Sequence, residues 1–522
     1  MIYDAIIIGS GGAALSSAIS LKQKGLNVIV VSKTSNTASQ TTQAQGGINA
    51  VINPNDSIQN HINDTLKSAS NIGSQSAIEF MCNNANDTIK WLDDLGVPFS
   101  KDENNNIAQR ALGGASFKRA CYSSDYTGLK ILQTLFDTAI KLNIKFLFDT
   151  NLLDIIVNNN CSKGVVLQDI KTSQIKQYLS KNIILASGGY GAIYHNYTTN
   201  SAGNVGDGLA IALNKGAILE NMEFVQFHPT ALKDKFILIS ESARGEGGYL
   251  VTKDEKRFVD ELLPRDVVAR EIYKKLLNNE EVFLDVRHLG LEKILHLMPQ
   301  EYKLCLDFTS LKMDKDLIPI TPASHYTMGG IKVNEELESN IKYLYCVGEC
   351  SSVGVHGANR LGGNSLLEII TFGRTISNHI NINNNVEDKI YNEVKTQEDY
   401  INNILSYSGN DDFYKIRVEL GKMMFDNVGL FKDKIKLNIA LDFINTQIKN
   451  INNFVINDKS KIYNTNLKDF LEFKNSLQIS KVIIKSAMSR EESRGAHYRV
   501  DFDKQSKEYD KSTLYSIKDE NE

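Results

Sequence analysis

A chain of 522 residues with a formal net charge of -4, 42% hydrophobic and 23% charged, has the make-up of a globular protein with core enough for two to four domains. That balance excludes a nucleic-acid binder built on a basic surface, and no apolar run approaches the roughly 18 residues that a membrane span requires. Six cysteines, Cys82, Cys121, Cys161, Cys305, Cys346 and Cys350, form no CxxC pair and no metal-ligand spacing, so no metal or iron–sulfur cluster is expected in this chain. The acidic Asp4 at the start argues against a cleaved signal, which leaves the cytoplasm as the expected compartment.

The chain opens on Ala5-Ile6-Ile7-Ile8, a short, continuously apolar run of the kind that forms a strand buried on both faces. Gly9-Ser10-Gly11-Gly12-Ala13-Ala14 follows at once, then Leu15, Ala18, Ile19 and Leu21 at helical spacing, a stop at Gly25, and a second apolar strand, Val28 to Val31. Strand, glycine turn and helix predict a βαβ unit for a dinucleotide. Glycines at 9 and 11 let the backbone approach a pyrophosphate, Ala14 stands where a third glycine is usual, and the helix N-terminus offers free N–H groups. Ser32-Lys33 end the second strand where an acid commonly holds the ribose hydroxyls, a departure that suits FAD better than NAD.

The polar stretch Thr34 to Ala50 is predicted as a loop along the cofactor. Helices are predicted within 57–95 and over Tyr126 to Leu142, with a second glycine turn, Gln109 to Gly114, between them. Strands are predicted at 145–149, 153–158 and 164–170, and a buried one at Ile183 to Ala186, where Ser187-Gly188-Gly189 repeats the first turn.

From Asn221 onward, histidines and arginines fall in glycine-bounded turns. Phe224 to Thr230 reads as a strand ending in His228-Pro229, Glu241 to Gly248 sets charges among glycines, and Pro264-Arg265 starts a helix. Ala323 to Gly330 carries His325 before a glycine pair, and His356 to Ser365 carries Arg360 after a strand, Tyr343 to Val347, that runs into Gly348-Glu349. Singly, each suits a polar residue satisfied at a turn. Jointly, two His and two Arg suit a dicarboxylate site, because guanidinium grips a carboxylate bidentately and imidazole adds a donor. Beyond about residue 380 the spacing predicts helices over 386–407, 411–424, 432–451 and 467–490, with Asn381 to Asn385 as a linker. Read by itself, the charged stretch Arg490 to Arg499 is a solvated tail.

The strings QFHPT, RGEGG, PRDVVAR, HYTMGG, HGANRLGGNSLLE and ESRGAH, in this order, resemble those of the flavoprotein subunits of succinate dehydrogenase and fumarate reductase and of their close relative L-aspartate oxidase. The resemblance spans Asp4 to about Arg499. It implies an α/β FAD-binding (Rossmann-like) domain in two sequence pieces, 1–221 and 338–380, an inserted α+β capping domain, 222–337, a C-terminal helical domain, 381–490, and a tail, 491–522. By motif, Gly9, Gly11, Gly12, Ala14, Ser32, Lys33, Gln45, Gly46, Gly47, Asp207, Glu349, Ser365 and Leu366 would line FAD. His228, Ser240, His325 and Arg360 would hold the substrate carboxylates, and Arg265 would give or take the proton, helped by acidic neighbours such as Glu246. The implied reaction passes a hydride between flavin N5 and one carbon of a C4 dicarboxylate, and a proton at the neighbouring carbon.

Two departures bear on the branch. Where membrane-bound members carry the histidine that links FAD covalently, this chain has Gln40, so FAD is expected to be noncovalent, which leans toward fumarate reduction. L-aspartate oxidases typically carry a glutamate before the glycine pair, placed to meet the substrate ammonium, and here Leu112 precedes Gly113-Gly114. Gly362-Gly363 and the GSGGAA turn also favour the reductase and dehydrogenase branch, whereas the short length, HPTAL and PRDVVAR favour the oxidase. The expectation is therefore interconversion of fumarate and succinate, with L-aspartate oxidase, making iminoaspartate for NAD biosynthesis, as the alternative. On the first reading an iron–sulfur subunit carries the electrons and holds the protein at the inner face of the membrane.

Overall fold

The computed structural model describes residues 1–520. At its centre lies a five-stranded parallel sheet in the order Leu344–Cys346, Ile183–Leu185, Ala5–Ile8, Val28–Val31, Lys145–Leu147. Ala5–Ile8 is the middle strand and is buried at all four positions, as a strand covered on both faces must be. Leu344–Cys346 pairs with Ile183–Leu185, so the late piece of the nucleotide-binding unit is stitched directly onto the early one. The turn after the middle strand admits only glycine: Gly9 has φ +124°, and a Cβ there would lie 2.1 Å from the Ala186 carbonyl oxygen. The helix Gly12–Gln23 follows, buried without interruption from Gly12 to Leu21 because sheet, Asn364–Thr375 and Thr127–Lys141 enclose it.

A second sheet orders Ile2–Tyr3, Ile175–Ser180, Cys161–Asp169 and Thr150–Asn158. The strand predicted at 145–149 stops at Leu147, since Asp149 turns left-handed at φ +51°, and Thr150 starts the next strand early. The capping unit is a separate four-stranded antiparallel sheet, Val225–Leu232, Ile318–Thr327, Val282–Asp285 and Tyr249–Thr252, backed by the helix Arg265–Leu277. It has its own apolar core, including Leu232, Ile272, Leu284 and Ile320. The late helices are Asn392–Leu405, Phe413–Val428, Lys434–Lys449 and Thr465–Ser489, and the last packs against Asp207–Asn214 of the nucleotide-binding unit. Among the described residues no helix is long and apolar enough to cross a membrane.

The reading of Arg490 to Arg499 as a solvated tail is corrected. Arg490, Glu492, Arg494, His497 and Arg499 are each 2% exposed or less. Their charges cancel pairwise, which is what makes the burial tolerable: Arg490 lies 2.6 Å from Glu223 and 2.9 Å from Glu492, and Arg494 lies 2.7 Å from Glu492. The segment ties the units together, with Arg270 donating to the Gly495 carbonyl, Ala496 N to Ala358, and Arg494 to Ser70.

Candidate active site

A cavity of about 600 Å³ opens between the head of the central sheet and the capping sheet. Gly9, Gly11, Gly12, Ser32, Lys33, Gln45, Gly46, Gly47, Asp207, Glu349, Ser365 and Leu366 all line it, together with Gln40. Ala14 does not; it is fully buried inside the first helix, where a small side chain lets helix and sheet pack closely. The walls fit a flavin dinucleotide. Gly47 has φ +127°, and a Cβ there would lie 2.7 Å from the Cys121 carbonyl oxygen. Gln45 Oε1 and Ser39 Oγ, both in the lining, are buried without a hydrogen-bond partner among the described residues, as groups awaiting a polar ligand would be.

Lys33 is kept charged in spite of burial by Asp207 and Glu472. Its Nζ donates to Asp207 and to the Gly203 carbonyl at 2.7 Å, and lies 2.8 Å from Glu472 of the last helix. Gln40 Oε1 accepts from Ser201 N at 3.0 Å. Glu349 accepts from Thr327 N at 3.0 Å, and burial pushes its carboxyl up to about 7.

On the capping side His228, Ser240, His325, Arg265 and Arg360 face the same cavity. The His228 and His325 rings stand edge to face, 4.8 Å between centroids. Burial, with Arg265 nearby, holds both imidazoles well below their ordinary value, so both are neutral. His228 Nδ1 lies 3.1 Å from the Thr230 carbonyl oxygen, and His325 Nδ1 lies 2.8 Å from Thr199 Oγ1. Arg360 lies over the Tyr326 ring, 4.4 Å from its centroid, with Nε buried and unpartnered among the described residues, and burial beside Arg265 pulls its guanidinium down to about 9. Ser240 caps a short helix, its Oγ accepting from Ser242 N at 3.1 Å.

Arg265 is gripped by a carboxylate that the sequence reading did not single out. Its Nε and Nη2 donate to Glu241 Oε2 at 2.9 and 2.5 Å, and Nη1 donates to Gln226 Oε1 at 3.2 Å. Glu241 Oε1 accepts from Gly113 N at 3.0 Å and lies 3.4 Å from Arg244. Burial raises the Glu241 carboxyl, but Arg265 and Arg244 overcome it and hold it below the usual carboxylate range, hence ionised.

Glu246, expected beside Arg265, is not brought there; it lies 4.0 Å from Arg110. Glu241–Gly245 is helical, and five residues of helix turn Glu246 about 140° away from Glu241. Both acids sit in one glycine-rich stretch, so only the helix, invisible in so short a run, distinguishes them. Gln226 belongs to QFHPT, but nothing in its spacing announces a contact with Arg265.

A family model described as an FAD binding domain matches residues 4–366, and one described as the fumarate reductase flavoprotein C-terminus matches 417–522. An uncharacterized FAD-dependent oxidoreductase of Methanocaldococcus jannaschii is 38% identical, over 97% of this chain and 95% of its own. The 8-methylmenaquinol:fumarate reductase flavoprotein subunit of Wolinella succinogenes is 36% identical, over 96% of this chain and 86% of its own. Among solved structures, the FrdA chain of Escherichia coli quinol fumarate reductase, in a Glu-to-Gln variant, superposes with a TM-score of 0.94 at 31% identity, covering 99% of this chain and 94% of that one.

Proposed function

The chain belongs to the fumarate reductase and succinate dehydrogenase flavoprotein family, and from that premise we propose that it binds FAD and interconverts fumarate and succinate. The observation that carries the reading is Arg265, 7% exposed, held between the Glu241 carboxylate and a cavity that it shares with His228, His325, Ser240 and Arg360. Bound FAD would supply the hydride acceptor or donor, cradled by the glycine turns, Gln45 and Ser365.

The side chains of this chain supply the rest. Arg360 has no carboxylate ion pair among the described residues, so a substrate carboxylate gives it the partner its burial calls for. His228, His325 and Ser240 add uncharged hydrogen-bonding groups around a dianion without further charge. Glu241 and Gln226 fix the Arg265 fork, so that a proton is given or taken at a guanidinium whose position does not vary. Arg244, 3.4 Å from Glu241 and donating to the Glu261 carbonyl, holds the Glu241 carboxylate from its other side.

Gln40 supports a noncovalent flavin: it stands where covalent members carry the linking histidine, and its amide is occupied by Ser201. An iron–sulfur partner subunit follows from the relatives being named flavoprotein subunits and from cysteines too scattered here to hold a cluster. Such a partner would bring this chain to the membrane face.

Anaerobic addition of succinate to the purified flavoprotein is expected to bleach its visible absorbance, and fumarate to restore that of reduced enzyme. L-aspartate is expected to leave it unchanged, since Leu112, with no charge to meet an ammonium, lines the cavity at the relevant turn. Bleaching by L-aspartate would move the protein to the oxidase branch. Acid precipitation should leave the flavin in the supernatant; yellow protein in the pellet would refute the noncovalent reading.

A further inference from the structure

A second cavity, of about 620 Å³, lies at the seam of the capping unit, the nucleotide-binding unit and the C-terminal segment. Its lining shares just two residues with the first cavity, Arg265 and Arg360. The two arginines proposed to handle the substrate therefore stand at the junction of the two cavities, with the flavin chamber to one side and a second chamber to the other. That second chamber reaches solvent, for its rim includes the exposed side chains of Lys67, Leu262 and Asp503.

The charges along this chamber are unevenly neutralised. Asp64 is bound by Arg119 at 2.5 Å, Asp266 by Arg270 at 2.8 Å, and Arg494 by Glu492 at 2.7 Å. Lys67, in the last turn of the helix Ile58–Ala69, has no acidic partner among the described residues, and at the inner end neither has Arg360, whose Nε is buried and unpartnered. Asp503 on the rim is the one lining acid that is likewise unpaired among the described residues. A dianion moving inward meets an unpaired ammonium at the mouth and a desolvated guanidinium at the bottom, a gradient that favours capture of small dicarboxylates.

We propose that this chamber is the antechamber through which the dicarboxylate reaches Arg265 and Arg360, and that Lys67 steers it there. The identity of the anion rests on the fumarate–succinate reading. Malonate, a dicarboxylate with no carbon pair to dehydrogenate, tests passage without turnover, its arrival read by stopped flow as a perturbation of the flavin spectrum in the holoenzyme. Lys67→Glu is expected to slow malonate association roughly threefold to tenfold at low ionic strength and to flatten its salt dependence, with dissociation little changed. Lys67→Arg should behave as the parent, and Asp503→Asn should accelerate association. The same ratios should appear in kcat/KM for fumarate. Association and salt slope unchanged in Lys67→Glu, at unaltered Tm and flavin content, would overturn the antechamber while leaving turnover and the functional reading intact. Lys67-dependent malonate binding in an enzyme that turns over neither fumarate nor succinate would do the reverse, and a holoenzyme that binds no dicarboxylate would overturn both.

Discussion

Arg265 illustrates how a permanently charged side chain is made into a positioned one. Three of its nitrogens are engaged by two neighbours, Glu241 and Gln226, and Gln226 is itself fixed by donating to Asn359 Oδ1 at 2.7 Å and to the Arg360 carbonyl at 2.9 Å. The planar fork makes this geometry, and an ammonium has no equivalent. Arg265→Lys is therefore expected to lose turnover by on the order of 10²-fold or more while keeping its charge, its bound flavin and its reduction by dithionite. Loss of flavin from that variant would mark Arg265 as a structural residue. Sequence motifs pointed to Arg265, His228, His325 and Arg360 individually, because a resemblance transfers residue identities. They did not separate Glu241 from Glu246, because the two are distinguished by direction, and direction comes from a helical turn that five residues do not announce.

At the scale of elements, the contact between the capping helix Pro299–Thr309 and the nucleotide-binding unit carries a titratable group next to the site. Glu301 Oε1 accepts from Ser240 N at 3.1 Å and from Ser242 Oγ at 3.3 Å, while Glu301 N donates to Asp125 at 3.0 Å. Burial, and then the Asp125 charge, push the Glu301 carboxyl from the usual 4.5 up to about 8. A carboxyl whose pKa is raised on folding binds an extra proton in the native state between those two values. Its stabilisation is full below about 4.5 and is lost as pH rises toward 8. Glu301→Gln keeps an acceptor for Ser240 and has no proton to lose. Tm of the parent relative to Glu301→Gln is expected to fall between pH 5 and pH 8 and to level off above it, and a constant difference across that range would refute the assignment. No periodicity marked this residue, since the helix carrying it has only Glu301 and Cys305 buried and reads as a polar surface helix.

At the scale of the whole molecule, the C-terminal segment closes the structure by burying charges that are compensated within the segment and by Glu223 of the capping side. Glu492 serves two arginines at once, Arg490 and Arg494, and also accepts from Ser506 N at 2.9 Å. Glu492→Gln leaves Arg490 with Glu223 and Arg494 with the more exposed Asp510, so the loss is that of charge-assisted hydrogen bonds and should be about 1–3 kcal/mol in denaturant unfolding. A loss well under 1 kcal/mol would mean that water reaches the pair. What the sequence by itself determined were the local features: the buried strand and glycine turn at Ala5 to Ala14, the late helices, and the motifs that carry the site residues and the family. These are short-range, set by apolar spacing and by backbone conformations that only glycine adopts. Only the tertiary structure decided which charged groups meet. It placed Glu241 rather than Glu246 on Arg265, turned Arg490 to Arg499 from an apparent tail into a buried clasp, and set Arg265 and Arg360 where two chambers meet. A charge is stable inside a protein only beside its complement, and here the complement lies two positions away for Glu492 and Arg490, 24 away for Glu241 and Arg265 and 267 away for Glu223 and Arg490, so the fold and not the spacing selects it.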